Sequence, residues 1–312
     1  MKNTPEVFVG IDISKDAADV FISSESQVIH YPNSVEGHQA AIAQLHRYPV
    51  KLITLEPTGR YHAALCSALM HEGFPVAVVN PRQVKNFARA MGQLAKTDVT
   101  DARVLCHFAR AIQPPQTSAP EEQTVRLADM VTRRRQLVDM RTVEINRLEC
   151  ASTEASRCIH EHLEWLNKRI HDTDDDIGRQ LKVMPVWQEK AKLLESVKGV
   201  GPVTCVTLLS LLPELGTLSR RAVSALVGVC PYARESGKLK GKRAIYGGRG
   251  AVRSALYMAV LSAVRYNPTI KACYERMVGA GKHRKVALIA SARKLLTILN
   301  AMLRDNKAWV TI

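Results

Sequence analysis

The hydrophobic period of this chain changes once, at a proline-rich stretch over residues 113–120, and that change limits what either side can fold into. Before it, short apolar runs bounded by turn residues alternate with helical spacing. After it, every apolar pattern recurs at helical spacing. Residues 7–13 form an apolar run with Asp12 near its end and read as a buried strand. Residues 19–23 and 27–31 read as two more short strands across a polar turn. Residues 37–48 have helical spacing. Residues 51–55 read as a strand that runs into Glu56-Pro57-Thr58-Gly59. A helix is expected over 62–72, stopped by Gly73, then a strand over 75–79, stopped by Asn80-Pro81. Helices over 82–91 and 98–111 complete this half.

Three antiparallel-type strands followed by α/β units is the order of an RNase H-like domain, expected over residues 1–118. Next, Val131, Val138 and Ile145 recur every seven residues, with Leu127, Met130, Leu137 and Leu148 beside them. Ile159, Leu163, Leu166, Ile170, Ile177, Leu181 and Met184 form a second stripe, ended by Pro185. Two long helices folding back as a coiled-coil-like hairpin over 119–190 are expected, and the stripe needs a cover, either the partner helix or a second protomer. Residues 191–312 read as a mostly α-helical domain. Helices are expected over 220–227, 252–265, 269–279 and 285–303, with a Gly/Lys/Arg-rich loop over 230–250.

Charge separates along the same boundaries. Residues 1–118 carry 11 Lys/Arg and 10 Asp/Glu, residues 119–190 carry 12 and 14, and residues 191–312 carry 21 and 5. The last third therefore holds a net +16, which points to a polyanionic partner. No apolar run reaches the ~18 residues needed to span a bilayer. The start of the chain lacks the charged-then-apolar pattern of a signal peptide, so a cytoplasmic protein is expected. The seven cysteines are dispersed without a Cys-x-x-Cys pair, which fits reduced thiols and shows no zinc spacing.

Four acids lie where strands end or helices begin: Asp12, Glu56, Asp98 and Asp101. The last two are three apart and share a helix face. In a fold of this order such positions gather at one sheet edge, and converging carboxylates suit Mg²⁺, a hard ion that takes oxygen ligands; a pair of ions suits phosphodiester chemistry. A lone acid in Gly10-Ile11-Asp12 also begins actin-like ATPases and sugar kinases, but the acid-poor C-terminal third offers no Gly-rich phosphate loop beside an acid. In the basic third, Gly199 and Gly201 lie between two helices, as in a helix-hairpin-helix turn whose backbone N–H groups approach phosphate. Arg234, Lys238, Lys240, Lys242 and Arg243, followed by Arg249 and Arg253, have the spacing of a nucleic-acid contact. Ser236 is the one hydroxyl in the densest part of that loop. Residue type alone makes it a solvated serine, since a serine is a weak nucleophile without activation.

The chain resembles a family of insertion-sequence transposases with a four-acid RuvC-like N-terminal domain and a serine-bearing C-terminal domain. The resemblance runs through Gly10-Ile11-Asp12-Ile13-Ser14-Lys15, Glu56-Pro57-Thr58-Gly59-Arg60-Tyr61, Lys96-Thr97-Asp98 with Asp101-Ala102, and Gly199-Val200-Gly201-Pro202. It continues in Ser236-Gly237, Ile245-Tyr246-Gly247-Gly248-Arg249 and Arg253-Ser254-Ala255-Leu256-Tyr257-Met258. It implies that Asp12, Glu56, Asp98 and Asp101 bind Mg²⁺, two ions being expected, and that Ser236 attacks a DNA phosphate to form a transient phosphoserine link. It implies a bridge RNA made from the element's own end. It also implies a homo-oligomer, a dimer assembling to a tetramer, in which the acids of one protomer meet the serine of another. Two other readings stay open. A structure-selective Mg²⁺-dependent nuclease of the Holliday-junction-resolvase kind needs the acids and not Ser236. A non-catalytic binding protein needs neither.

Overall fold

A computed structural model describes residues 6–93, 97–118, 121–233, 235–237, 239–241 and 243–309; the side chains of residues 98, 99, 239 and 240 are not described. The chain divides at Pro120 into two compact units.

In the first unit β1 (Val7–Ile13), β2 (Ala17–Ile22) and β3 (Val28–Pro32) form an antiparallel meander. Ser14 closes the first turn: its N–H donates to the Ala17 carbonyl at 2.8 Å, and its hydroxyl accepts from the Ala17 N–H at 3.1 Å. Next come α1 (Val35–Leu45), β4 (Val50–Leu55), α2 (Ala63–His71), β5 (Val76–Val78), α3 (Pro81–Ala90) and α4 (Asp98–Ile112). The sheet order is β3-β2-β1-β4-β5, with β4 parallel to both β1 and β5. Parallel neighbours require crossovers, and α1 and α2 supply them. The strand alternation sorts two cores. Val7, Val9, Ile11 and Ile13 face one, with Leu45, Leu65 and Leu69 of α1 and α2. Phe8 faces the other, with Leu105, Phe108 and Ala109 of α4.

The second unit begins with α5 (Glu122–Leu148) and α6 (Thr153–Lys182), packed antiparallel. Arg134 clasps Asp174, Arg141 donates to Asn167 at 3.2 Å, and His162 meets Glu144 at 3.3 Å, so the paired numbers sum to a near-constant. Leu137, Leu166 and Ile170 form the buried seam. The seven-residue repeat does not hold to its end, because Ile145 is 46% exposed while Glu144 is buried. A straight α-helix drifts about 20° per heptad, which carries the third repeat off the seam. Pro185 does not stop the helical region; it opens α7 (Pro185–Glu195) at the position where a missing N–H costs nothing.

Then follow α8 (Pro202–Leu211), α9 (Arg220–Val227), α10 (Gly250–Tyr266), α11 (Pro268–Gly279) and α12 (Arg284–Asp305). Leu194, Leu208, Val227, Leu256, Val260 and Leu295 are among the residues that build their shared core. Leu127, Val131 and Ile177 of the hairpin pack on Val206 of α8, so hairpin and helical body are one unit. By length and composition α12 could cross a bilayer, but Leu295, Leu296 and Leu299 on its apolar side are buried in this core. Where the sequence predicts a loop over 230–250, the chain forms a ribbon: β6 (Pro231–Tyr232) pairs with β9 (Ala244–Ile245), and β7 (Glu235–Ser236) with β8 (Leu239–Lys240). Two-residue strands of mixed, charged sequence carry no alternation that could reveal them.

Candidate functional site

Asp12 lies at the carboxyl end of β1, and Glu56 directly follows the carboxyl end of neighbouring β4. Ile11 pairs with Leu55 across parallel β1 and β4, so Asp12 and Glu56 occupy the next register step, with backbones roughly 5 Å apart. Alternation along β1 gives Asp12 the sheet face covered by α4. On β1, Phe8, Gly10 and Asp12 share that face. On β4, Leu52 and Thr54 do, and Glu56 follows the last residue of that strand. Both acids are partly buried.

The register of α4 brings its start to the same edge. The Cys106 thiol donates to the Phe8 carbonyl at 3.2 Å, and the Thr54 hydroxyl donates to the Leu105 carbonyl at 2.8 Å. A Cβ on Gly10 would lie 2.1 Å from the Ala102 carbonyl oxygen and 2.3 Å from the Cys106 nitrogen. Helix and strand therefore run in opposite directions in close backbone contact, and only a residue without a side chain permits it at Gly10. One turn back from Ala102 the helix passes the level of Asp12. Asp101 is in that first turn, partly buried, and Asp98 opens the helix. Thr97 caps α4, its hydroxyl accepting from the Thr100 N–H at 3.2 Å. The carboxyl ends of β1 and β4 and the start of α4 thus lie toward the same edge of the sheet. Among the described residues no group of three or more His, Cys, Asp or Glu side chains stands in metal-holding array; the Asp98 side chain lies outside that description. The donors are all carboxylate oxygens, the set a hard divalent ion takes.

A fifth acid adjoins them that sequence reasoning passed over. Asp19 pairs directly with Asp12 across the β1–β2 ladder, and directly opposed residues share a face. Its carboxylate is hydrogen-bonded to His30 of β3 at 2.8 Å. Asp19 looked like the start of an ordinary strand, and only the register set by the Ser14 turn reveals its neighbour.

Ser236 stands beside the tip of the ribbon, exposed, and pairs with Leu239 across a two-residue turn. Gly237 holds φ +54° in that turn, a value natural to glycine. Arg243 forms an exposed ion pair with Glu235 at 3.4 Å. Lys240 sits on β8. Arg234, Lys238 and Lys242 lie outside the described residues.

Arg249 and Arg253 are bound within the protein at the arm's base. The Arg249 guanidinium makes a bidentate pair with Glu214, at 2.5 and 2.6 Å, and donates to the Leu211 carbonyl at 3.0 Å. Burial pushes the Glu214 carboxyl up, but the Arg249 hydrogen bonds and charge, with a backbone hydrogen bond, outweigh it and hold the group below its ordinary value. Arg253 donates to the Gly247 carbonyl at 2.6 Å and faces that of Val227 at 3.3 Å. Gly199, at φ +104°, is pressed onto α10: an added Cβ would lie 2.6 Å from the Ala263 Cα. Gly201 caps α8 and faces open space, so of the two glycines it is the one whose surroundings admit a ligand.

Two family models match the chain. One, of the IS110 DEDD type and described as a transposase, covers residues 9–154; the other, described as Transposase IS116/IS110/IS902 family, covers residues 191–275. The chain is also similar to the pilin gene-inverting proteins of Moraxella bovis and Moraxella lacunata. It is 28% identical to each over 97% of its own length and 98% of theirs. It is 28% identical to an uncharacterized 42 kDa protein of insertion element IS900 from Mycobacterium paratuberculosis, over 52% of this chain and 40% of that protein.

Proposed function

The chain belongs to the IS110/IS116/IS902 family of transposases, and from that premise we propose that it cuts and rejoins DNA through a phosphoserine intermediate at Ser236, with Asp12, Glu56, Asp98 and Asp101 as the ligands of Mg²⁺. The observation that supports the proposal is the placement of Asp12 and Glu56 at the carboxyl ends of neighbouring β1 and β4, with α4 packed against Gly10 of β1. The N-terminal unit is read as an RNase H/RuvC-like domain on its strand order. Mg²⁺ bound there would supply charge stabilisation for the phosphoryl group.

The Ser236 hydroxyl attacks phosphorus, its oxygen forms the new ester bond, and its proton is released. The bond from phosphorus to one sugar oxygen breaks, and that oxygen leaves as a hydroxyl. The ester energy is retained, so a second sugar hydroxyl can reverse the step on a new strand without an external energy source. Relatives named for inverting a pilin gene favour this course over hydrolysis, since inversion requires that broken ends be rejoined. The open tip carrying Ser236 suits an attack on DNA held by another protomer, and a homo-oligomer guided by a bridge RNA in the bacterial cytoplasm completes the reading. The exposed Gly201 and the arm cations, Lys238, Lys240 and Lys242 among them, are its backbone contacts.

The test is a covalent protein–DNA adduct trapped by denaturant. Wild type forms it only with Mg²⁺, Ser236→Ala and Asp12→Asn do not, and an adduct persisting in Ser236→Ala removes the nucleophile. RNA co-purified from cells carrying the element's flanks, and then sequenced, decides the guide: one discrete RNA supports it, and random cellular RNA removes it.

A further inference from the structure

The helical body holds an open groove of about 1470 Å³ at the foot of the arm. Its floor is apolar: Ile245 of β9, Met258 of α10, and Val286 and Ile289 of α12. Met258 is 64% exposed and Val286 53%, although both flank a packed core. Its rim is cationic: Arg243, Lys282, Lys285 and Arg293 line it, and no lining residue is acidic. Among the described residues Lys282, Lys285 and Arg293 make no ion pair, so their charge is available to a ligand.

An apolar floor under an unpaired cationic rim fits a polymer that has apolar faces and a negative charge on every unit. That is a nucleic-acid strand with its bases unpaired. A duplex shows phosphates and base edges and buries the base faces, so it could use the rim and not the floor. Position selects DNA. The groove's wall is the base of the ribbon, Pro231 and Ala244–Ile245, and Ser236 lies four residues along the chain from Tyr232, a separation of at most roughly 14 Å. A DNA strand whose phosphate lies at Ser236 has its neighbouring nucleotides within reach of the groove. We propose that this groove binds unpaired nucleotides of the DNA strand being cut, holding it apart from its complement. The proposal rests on the reading of Ser236 as nucleophile.

The experiment uses full-length protein and fluorescein-labelled oligonucleotides of one sequence, as single-stranded DNA, duplex DNA and single-stranded RNA, read by anisotropy. Met258→Glu and Val286→Glu place a charge on the floor at exposed positions, and thermal melting confirms that each variant is folded. Both are expected to weaken single-stranded DNA binding about tenfold or more, the scale of setting an unpaired charge against an apolar base face, with duplex affinity unchanged. Equal affinity for single-stranded DNA in variants and wild type overturns the proposal. So does a parallel loss for single strand and duplex, which makes the groove a general electrostatic surface. A loss confined to RNA gives the groove to RNA, and a changed sedimentation mass with strand binding unchanged gives it to a second copy of the chain; either overturns it. The same titration with Ser236→Ala needs no chemistry, so loss of the adduct reading and loss of the groove are seen separately.

Discussion

At Gly10 a hydrogen atom faces the backbone of α4 where any other residue would place a carbon 2.1 Å from a carbonyl oxygen. Gly10→Ala must push α4 off the sheet, at about 1–3 kcal/mol by the usual cost of overpacking. Because α4 carries Asp98 and Asp101 while Asp12 stays on the strand, the variant is expected to lose Mg²⁺-dependent cleavage more completely than it loses stability. Denaturant midpoints and cleavage rates measured on the same preparation check this. Glu214 gives a pH-dependent prediction. Its folded value lies below its unfolded one, so its contribution is whole above the ordinary carboxylate value, about 4.3, and is lost as pH falls through the lower folded value. Glu214→Gln should therefore lower the melting temperature at pH 7, by about 1 kcal/mol equivalent after allowing for solvent screening. The gap from wild type should narrow as pH falls below the ordinary carboxylate range, and melts across a pH series read it. The places of Asp12 and Glu56 at strand ends were legible in the sequence, because a strand's apolar run and its stop signal are. Asp19 and the Arg249–Glu214 pair were not, since both depend on which residue meets which across space.

The elements of the first unit were legible almost throughout, from the expected strand over 7–13 to the helix opening at Asp98, because each couples a hydrophobic period to its own stop signal. The ribbon was not. Its strands are two residues long, and their partners, not their sequence, make them strands. Among the described residues the arm adds none to the main core, so its geometry and the protein's stability are separable. Gly237→Val forces a β-branched residue into φ +54°, at a local cost of about 1–2 kcal/mol. It should reduce Ser236 adduct formation severalfold while leaving the melting temperature unchanged, with the adduct read on denaturing gels. An equal fall in both would mean that the arm is part of the folding unit.

Each unit of the molecule contains its own core. Ile11, Leu55 and Leu65 belong to the first, and Leu208, Leu256 and Leu295 to the second. Two calorimetric transitions are expected, with Leu55→Ala moving one and Leu295→Ala the other, each by the 2–5 kcal/mol typical of a buried leucine. A single transition shifted by both variants would show that the units unfold together. The boundary was legible at the proline-rich stretch. The fusion of hairpin and helical body was not, because Val206 is one apolar residue among many in α8 and nothing in its sequence names Leu127 as its neighbour.

The reach of the arm is quantised. Adding one residue to each strand below Ser236 would lengthen it by about 3.3 Å and turn the serine to the opposite face; adding two to each would lengthen it by about 7 Å and restore the facing. A ribbon of this kind that keeps its serine pointed one way can grow only in steps of four residues. Length at this place in the chain therefore reports on geometry as well as on drift: insertions that leave the serine's aim intact come in fours, and all others must be offset by a bulge.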